Sequence, residues 1–278
     1  MDETGDSAFL KCTLYLSRLT EKRKGAECIM KKVEYYGETN IGKVRTNNED
    51  AFVLQEVWEG THLLAVVIDG VGGNGGGDIA AGMACKCISE HITGLNNTTN
   101  GADVLQTAVI YANNTIQSQH CNPWLSNMSC VLTAALINLE TGKMNVCHIG
   151  DTRLYMFKDD QLVRITSDHS LVGPLEESGQ ITEEQAMTHP RRNIITRSVG
   201  KEILCWGTEY IQTHTLSLTP CMLMLCSDGF YDMVHSSRTV QILKEPVSVI
   251  ARTEKLIEAA LNAGGKDNVT VCLIDITE

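Results

Sequence analysis

Short apolar runs bounded by turn residues predict buried β-strands along the chain. Runs of this length favour strands of a buried sheet over core helices, which need ten or more residues. They lie at residues 63–68, 130–137, 144–149, 154–157, 221–226 and 269–274. The second and third runs are separated by residues 140–143, whose sequence Glu-Thr-Gly-Lys is typical of a hairpin turn.

Three other segments predict helices. Residues 103–119 and 247–261 repeat apolar positions every three to four residues, and Gly264 and Gly265 follow the second of them as an end signal. Residues 78–92 begin with an aspartate, which is favourable at a helix N-terminus. Because hairpin-linked strands stand beside separate helices instead of alternating with them, the pattern indicates an α+β fold.

The first 33 residues differ from the rest of the chain. They carry the basic clusters 22–24 and 31–32 and show no strand period, so we interpret them as a frayed or helical extension. The N-terminus also lacks the basic start and apolar stretch of a secretory signal, and no apolar run reaches the 18–20 residues that a membrane-spanning helix needs.

Composition narrows the class of protein. Of 278 residues, 43% are hydrophobic and 21% charged, which is typical of a globular chain. The net charge of −11 argues against binding to nucleic acid or to an anionic membrane. Eleven cysteines, most of them inside apolar runs, indicate reduced thiols in a cytoplasmic protein. Cys85, Cys87 and His91 lack metal-ligand spacing and are interpreted as core helix residues.

Acidic residues stand beside the ends of several apolar runs, next to glycine or asparagine. The segments are Asn48-Glu49-Asp50, Asp69-Gly70, Gly150-Asp151, Asp228-Gly229 and Asp267-Asn268. Turns favour aspartate and glycine for conformational reasons alone, so any one of these segments is explained as structural. Several carboxylates gathered on one rim, however, would repel one another unless cations lay between them. Ligation by oxygen alone suits Mg²⁺ or Mn²⁺, and two such ions can direct a shared water at phosphorus.

The sequence resembles metal-dependent protein serine/threonine phosphatases of the 2C type, in their bacterial form. The resemblance covers about residues 35–276. The matching segments occur in family order and are GKVRTNNEDA (42–51), VIDGVGG (67–73), HIGDTR (148–153), TSDHSLV (166–172), HPRRNIITR (189–197), LCSDG (225–229) and DNVTV (267–271).

The resemblance implies a fold, a reaction and a set of site residues. The fold would be two central antiparallel sheets with helices on both outer sides, formed by residues 34–278 as one domain with a flap at about 170–197. Two Mn²⁺ or Mg²⁺ ions would hold a bridging water or hydroxide that attacks phosphorus directly, without a phosphoenzyme. The resemblance implies that Asp69 bridges both metals and that Asp228 and Asp267 bind the first. The Gly70 carbonyl and Asp50 would bind the second, with Glu49 beside Asp50. Asp151 and Asp228 would bind a third ion, and Arg45 would bind the substrate phosphate.

Some positions depart from the family pattern. Val71 stands where many eukaryotic relatives carry a histidine proposed as general acid, so the group that protonates the leaving oxygen is not assigned. The glycine run 72–77 is longer than usual. His169 and His189 lie in turn-like contexts, and we expect each to make a structural hydrogen bond.

Two other interpretations stay open at this point. The sequence from Gly70 to Gly75 fits the G-x-G-x-x-G pattern of dinucleotide-binding folds, although no second parallel strand follows it. A phosphatase-like module that binds phosphoproteins without catalysis would lose metal carboxylates, whereas this chain keeps them. We therefore expect a monomeric enzyme that acts on phosphorylated proteins, the targets of a serine/threonine kinase.

Overall fold

Two antiparallel β-sheets stack face to face at the centre of the molecule. The computed structural model describes residues 18–19, 32–71, 76–95, 100–201 and 210–277. The strands are β1 (Arg18–Leu19), β2 (Lys32–Asn40), β3 (Asp50–Val57), β4 (His62–Val71), β5 (Ser129–Asn138), β6 (Lys143–Ile149), β7 (Arg153–Lys158), β8 (Gln161–Arg164), β9 (Gln212–Ser217), β10 (Cys221–Cys226) and β11 (Val269–Thr277). One sheet has the order β1-β2-β11-β10-β7-β8 and the other β3-β4-β5-β6-β9.

Helices cover the outer faces of both sheets. The described helices are α1 (Gly77–Thr93), α2 (Gly101–Ser118), α3 (Gly173–Glu177), α4 (Glu183–Met187), α5 (Asp228–Tyr231), α6 (Ser236–Leu243) and α7 (Val249–Asn262), with short 3₁₀ turns at Gln119–Cys121 and Pro123–Leu125. The apolar side chains of α1 and α2 pack on the five-stranded sheet, and those of α5, α6 and α7 pack on the six-stranded sheet. This four-layer arrangement confirms the predicted fold class.

Strand β4 shows why the central apolar runs are continuous. Its residues Leu64, Val66 and Ile68 pack against α1 and α2, while Leu63, Ala65 and Val67 face the other sheet. Both faces of the strand are therefore buried, and alternation of apolar and polar residues disappears. Strand β4 pairs antiparallel with β5, so the parallel strands of a dinucleotide-binding fold are absent from this part of the structure.

All six predicted strands and all three predicted helices are present, each within a few residues of its predicted bounds. Strands β2, β3, β8 and β9 were not predicted, because partly exposed residues interrupt their apolar pattern. Of the N-terminal extension, Arg18 and Leu19 pair with Val33 and Lys32, and the other residues before 32 lie outside the described ranges. No helix among the described residues is long and apolar enough to cross a membrane.

Candidate active site

The acidic segments lie at one end of the two-sheet stack. Antiparallel pairing brings the end of one strand beside the start of its neighbour, as with Asp50 at the start of β3 and Asp69 near the end of β4. Asp228 follows β10, and Asp267 lies two residues before β11, its antiparallel partner. Asp151 joins β6 to β7, whose first residue, Arg153, pairs with the last residue of β10. We call this end of the sandwich the acidic rim.

Asp69 lies among the other carboxylates of the acidic rim and is partly buried. Its pKa is raised well above the usual range, first by loss of solvation and then by charge repulsion from Asp50, Asp228, Asp151 and Asp267. Repulsion from four other acids means that Asp69 belongs to the same cluster of carboxylates. The structure thus brings together the residue predicted at both metals and the other predicted ligands.

The other rim carboxylates are perturbed in the same direction. Burial and neighbouring acids raise the pKa of Asp228 well above its usual range and that of Asp151 to about 7. The pKa of Asp50 rises to about 6, mainly through burial, although hydrogen bonds from Ser227 and Thr270 oppose the shift. The acids of the rim repel one another, and bound cations would stabilise this arrangement.

Two hydroxyl groups hold Asp50 in place. Its Oδ2 accepts hydrogen bonds from the Ser227 Oγ at 2.6 Å and from the Thr270 Oγ1 at 2.7 Å. That oxygen is committed to the protein, so contact with a metal, directly or through water, falls to the other oxygen.

The backbone around Gly70 and Glu49 is packed so closely that only glycine fits. A Cβ added at Gly70 would lie 2.3 Å from the Gly77 carbonyl oxygen and 2.7 Å from that of Glu49. The Gly70 amide donates to the Glu49 carbonyl at 3.0 Å, and a Cβ at Gly77 would meet the Glu49 carboxylate at 2.8 Å. The structure thus brings together Glu49 and Gly70, both predicted at the second metal.

Arg45 lies at the edge of the same rim. Its Nη2 is 2.7 Å from the Asp267 Oδ2, and half of its side chain is exposed. Asn268 holds the loop that carries it, because its Nδ2 donates to the carbonyls of Ile41 and Asn47 and its Oδ1 accepts from the Glu49 amide, each at 2.9 Å. A guanidinium that is half exposed and anchored at one nitrogen can present its other nitrogens to an anion.

The donor chemistry of the rim fits hard divalent cations. Among the described residues, no three acidic, histidine or cysteine side chains converge closely enough to hold one ion by themselves. Mg²⁺ and similar ions, however, commonly take one or two carboxylates, a carbonyl oxygen and several waters. Buried carboxylates that repel one another, beside a tightly packed glycine, supply such a set, and the residues present therefore fit the predicted ions.

Residues 39–263 match the family described as Protein phosphatase 2C. The chain belongs to this family. It is 34% identical over 251 residues to the serine/threonine protein phosphatase PstP of Mycobacterium tuberculosis, a match that covers 88% of this chain and 45% of PstP. It thus spans about half the length of that relative. It is 32% identical to the serine/threonine phosphatase stp of Listeria innocua, with 85% of this chain and 93% of stp covered.

A solved structure of the PstP catalytic domain in complex with two manganese ions superposes on this chain with a TM-score of 0.73. The sequences are 29% identical, and the superposition covers 88% of this chain and 99% of that one. The protein phosphatase 2C fold predicted from the sequence is confirmed by this likeness.

The segment predicted as a flap of this phosphatase 2C domain lies beside Asp228. It contains α3 and α4 and contacts the segment after α5 through Arg192, whose Nε is 2.7 Å from the Asp232 Oδ2, and through the Glu183 carboxylate, which accepts from Ser236. A cavity of about 20 Å³, room for about one water, separates the flap from Asp228.

The two histidines near the flap make structural hydrogen bonds, as predicted. The His169 Nδ1 accepts from the Gly150 amide at 3.1 Å, and the His189 Nδ1 accepts from the Arg191 amide at 3.1 Å. Val71 ends β4 and offers no side-chain group for proton transfer. Residues 72–75, which belong to the glycine run that is longer than usual, lie outside the described residues.

Sequence reasoning missed the residues that support the phosphatase 2C rim from behind. These are the Ser227 and Thr270 hydroxyls on Asp50, the Asn268 side chain on the loop of Arg45, and Arg153 behind Asp151. Each lies inside or next to a motif that the sequence resemblance already contained, but no spacing in the sequence identifies its partner. The partners are 177 to 227 residues away for the first three groups and 15 to 23 for the carboxylates of Arg153.

Proposed function

We propose that the chain hydrolyses phosphoserine and phosphothreonine esters in proteins with the help of two Mn²⁺ or Mg²⁺ ions bound at the acidic rim. The observation that carries the proposal is the gathering of Asp69 with four other carboxylates at one end of the two-sheet stack. Membership of the phosphatase 2C family and the two manganese ions in the PstP structure support it. When bound, such ions supply an activated water and neutralise charge on the phosphate.

In this proposal each rim residue has a distinct task. Asp69, Asp228 and Asp267 would hold the first ion, and Asp69, the Gly70 carbonyl and Asp50 would hold the second, with Glu49 beside Asp50. Asp151 and Asp228 offer a third, weaker site. The buried carboxylates must be ionised to bind cations, so cation binding competes with their protonation.

Arg45 would position the phosphate. Its guanidinium is planar and permanently charged, and it matches two phosphate oxygens at once. The Asp267 carboxylate at 2.7 Å and the loop clamp by Asn268 fix its place beside the rim before substrate arrives. Preorganisation of this kind lowers the entropy that substrate binding has to overcome.

The substrates we propose are proteins phosphorylated by a serine/threonine kinase, and the acting form is a monomer. We also propose that the enzyme works in the cytoplasm. Free thiols at Cys130, Cys147, Cys226 and Cys272 support a reducing compartment.

Hydrolysis of p-nitrophenyl phosphate and of a phosphothreonine peptide, each with Mn²⁺ and with excess chelator, tests the proposal. We expect phosphate release with the metal and none with the chelator. If the folded protein bound Mn²⁺ and the phosphopeptide but released no phosphate, the chain would be a binding module and not an enzyme.

A further inference from the structure

We propose that Arg153 is a positioning residue that ties the flap helix α3 to the backbone carrying Asp151 and Asp228. The inference rests on the proposed function only in that it treats those two aspartates as working parts of the site. The contacts that support it belong to the fold and would exist without catalysis.

The guanidinium of Arg153 makes contacts on every side. Its Nε lies 3.1 Å from both carboxylate oxygens of Asp168, and its Nη2 is 2.7 Å from Asp168 and 2.8 Å from Glu176. Its Nη1 donates to the Tyr155 hydroxyl at 3.1 Å. Its central carbon stands 3.7 Å from the centre of the Tyr231 ring. One buried group thereby touches a strand, the base of the flap, the flap helix α3 and the helix α5.

The connection to the acidic rim runs through Tyr231. This residue ends α5, the short helix that Asp228 begins, and its hydroxyl donates to the Asp151 carbonyl at 2.9 Å. Arg153 stacks on the ring of Tyr231, in the helix that Asp228 begins, and follows Asp151 by two residues. It is therefore connected to both aspartate-bearing segments. A displacement of α3 would pull on Arg153 through Glu176, and a displacement of Arg153 would move the Tyr231 ring.

Charge balance explains why such an arginine is tolerated in the interior. Arg153 and Arg164 face Asp168 and Glu176, and these four side chains are at most 15% exposed. Arg164 also pairs with the more exposed Glu177 at 3.3 Å. A buried pair that loses one partner leaves an uncompensated charge, so the group is strongly held in one arrangement. When such a network has one favoured arrangement, a displacement of one of its groups displaces the groups bonded to it.

Lysine cannot replace the guanidinium here although it keeps the charge. Its single ammonium has no planar fork with which to bind the two Asp168 oxygens, Glu176 and the Tyr155 hydroxyl together, and it stacks poorly on a ring. The substitution Arg153→Lys therefore preserves the net charge of the network and removes its geometry.

The test compares Arg153→Lys with wild type by amide hydrogen exchange and by hydrolysis of p-nitrophenyl phosphate. We expect exchange to rise about tenfold in both Gly173–Glu177 and Asp228–Tyr231, while α7 stays unchanged. We also expect kcat to fall at least about tenfold, since small displacements of catalytic groups cost that much or more.

Arg252→Lys is the matched control. Arg252 is similarly buried and pairs with Asp275 at 3.0 Å, but it lies on α7, and Asp275 sits toward the end of β11 remote from the rim. In that variant we expect no change in exchange at Gly173–Glu177 or Asp228–Tyr231 and no change in kcat. The proposal would be overturned if Arg153→Lys left exchange at Asp228–Tyr231 unchanged, or raised it equally in α7. Loss of hydrolysis by wild type itself would instead refute the proposed function, and the exchange comparison would still test the tie.

Tyr231→Phe provides a second test if Arg153→Lys does not fold. It keeps the ring under the guanidinium and removes only the hydrogen bond to the Asp151 carbonyl. We expect exchange to rise at Asp228–Tyr231 and not at Gly173–Glu177. Unchanged exchange at Asp228–Tyr231 would show that the hydrogen bond of the Tyr231 hydroxyl does not hold this segment in place.

Discussion

Arg45 and Asp267 illustrate how single residues prepare the acidic rim. The arginine is half exposed and bound to one carboxylate, so it is held in place without being enclosed. Asn268, next to Asp267, clamps the loop on which Arg45 lies. Arg45 is thus held in place by Asp267, a proposed metal ligand, and by Asn268, the next residue in the sequence. The remaining N–H groups of Arg45 are available for phosphate.

Replacing Arg45 by alanine should weaken substrate binding more than turnover. Loss of a charge-assisted, forked contact to phosphate should raise KM about tenfold or more, with a smaller change in kcat. Steady-state kinetics on the phosphothreonine peptide measures this. Lys143→Ala is the control, since it removes one positive charge at the opposite end of β6 from Asp151. An unchanged KM in Arg45→Ala would remove this residue from the substrate site.

The acidic rim could be predicted from the sequence because acidic residues recur at the ends of several apolar runs, whereas the role of each residue came from the family resemblance. A carboxylate beside glycine after an apolar run is visible locally, and Asp69, Asp151 and Asp228 follow this pattern. Arg153 carries no such signal. Its role depends on Glu176 and Tyr231 meeting it in space, and no local pattern encodes a meeting of distant residues.

At the scale of elements, burial decides which strands the sequence reveals. Strand β4 is apolar throughout because both of its faces are covered, so it is recognised without a structure. Strand β9 is an edge strand with alternating half-buried and exposed residues, and its composition resembles a loop. Strand β8 is likewise an edge strand. Strands β2 and β3 contribute residues to the core on both faces, but partly exposed polar residues interrupt their apolar runs.

The turn before Asp151 depends on glycine. Gly150 has φ of +105°, and a Cβ there would lie 2.1 Å from the Val131 Cγ1. Gly150→Ala should therefore lower the free energy of unfolding by more than about 1 kcal/mol. A Cβ at Gly82, inside α1, would meet no other atom within 4 Å, so Gly82→Ala should stabilise the fold by about 0.4–1 kcal/mol.

Urea unfolding of the two glycine variants measures both effects. The two substitutions add the same methyl group. Opposite changes in the free energy of unfolding would therefore come from the backbone conformation and the space around each glycine. Equal stability of Gly150→Ala and wild type would show that this turn is not constrained as the structure has it.

At the scale of the whole molecule, the rim stores unfavourable charge. Burial and neighbouring acids raise the pKa of Asp69 and Asp228 well above the usual range and that of Asp151 to about 7. In the unfolded chain these groups titrate near pH 4. Between pH 6.5 and 8 the folded, metal-free protein therefore binds more protons than the unfolded chain, and its stability falls as the pH rises.

Thermal unfolding in chelator should show a lower midpoint at pH 8 than at pH 6.5, by about 2–4 °C for each kcal/mol lost. Three histidines act in the opposite direction, because the pKa of His148 is lowered to about 4, that of His169 to about 3, and that of His62 is also lowered, mainly by burial. Their effect fades as the pH rises past the unfolded pKa of about 6.5. Saturating Mn²⁺ should raise the midpoint more at pH 8, since the carboxylates must be ionised to bind it. A midpoint in chelator that rises from pH 6.5 to 8 would contradict the buried-carboxylate account.

The most direct test of the central claim is one Mn²⁺ titration in which bound metal and phosphate release are followed in the same samples of wild type and Asp228→Asn. We predict that hydrolysis by wild type appears as about two ions bind per chain. The variant should fold, bind less metal and lose most activity, because one ligand has lost its charge. Full, chelator-resistant hydrolysis by Asp228→Asn would contradict the claim that the acidic rim binds the metals and performs the reaction.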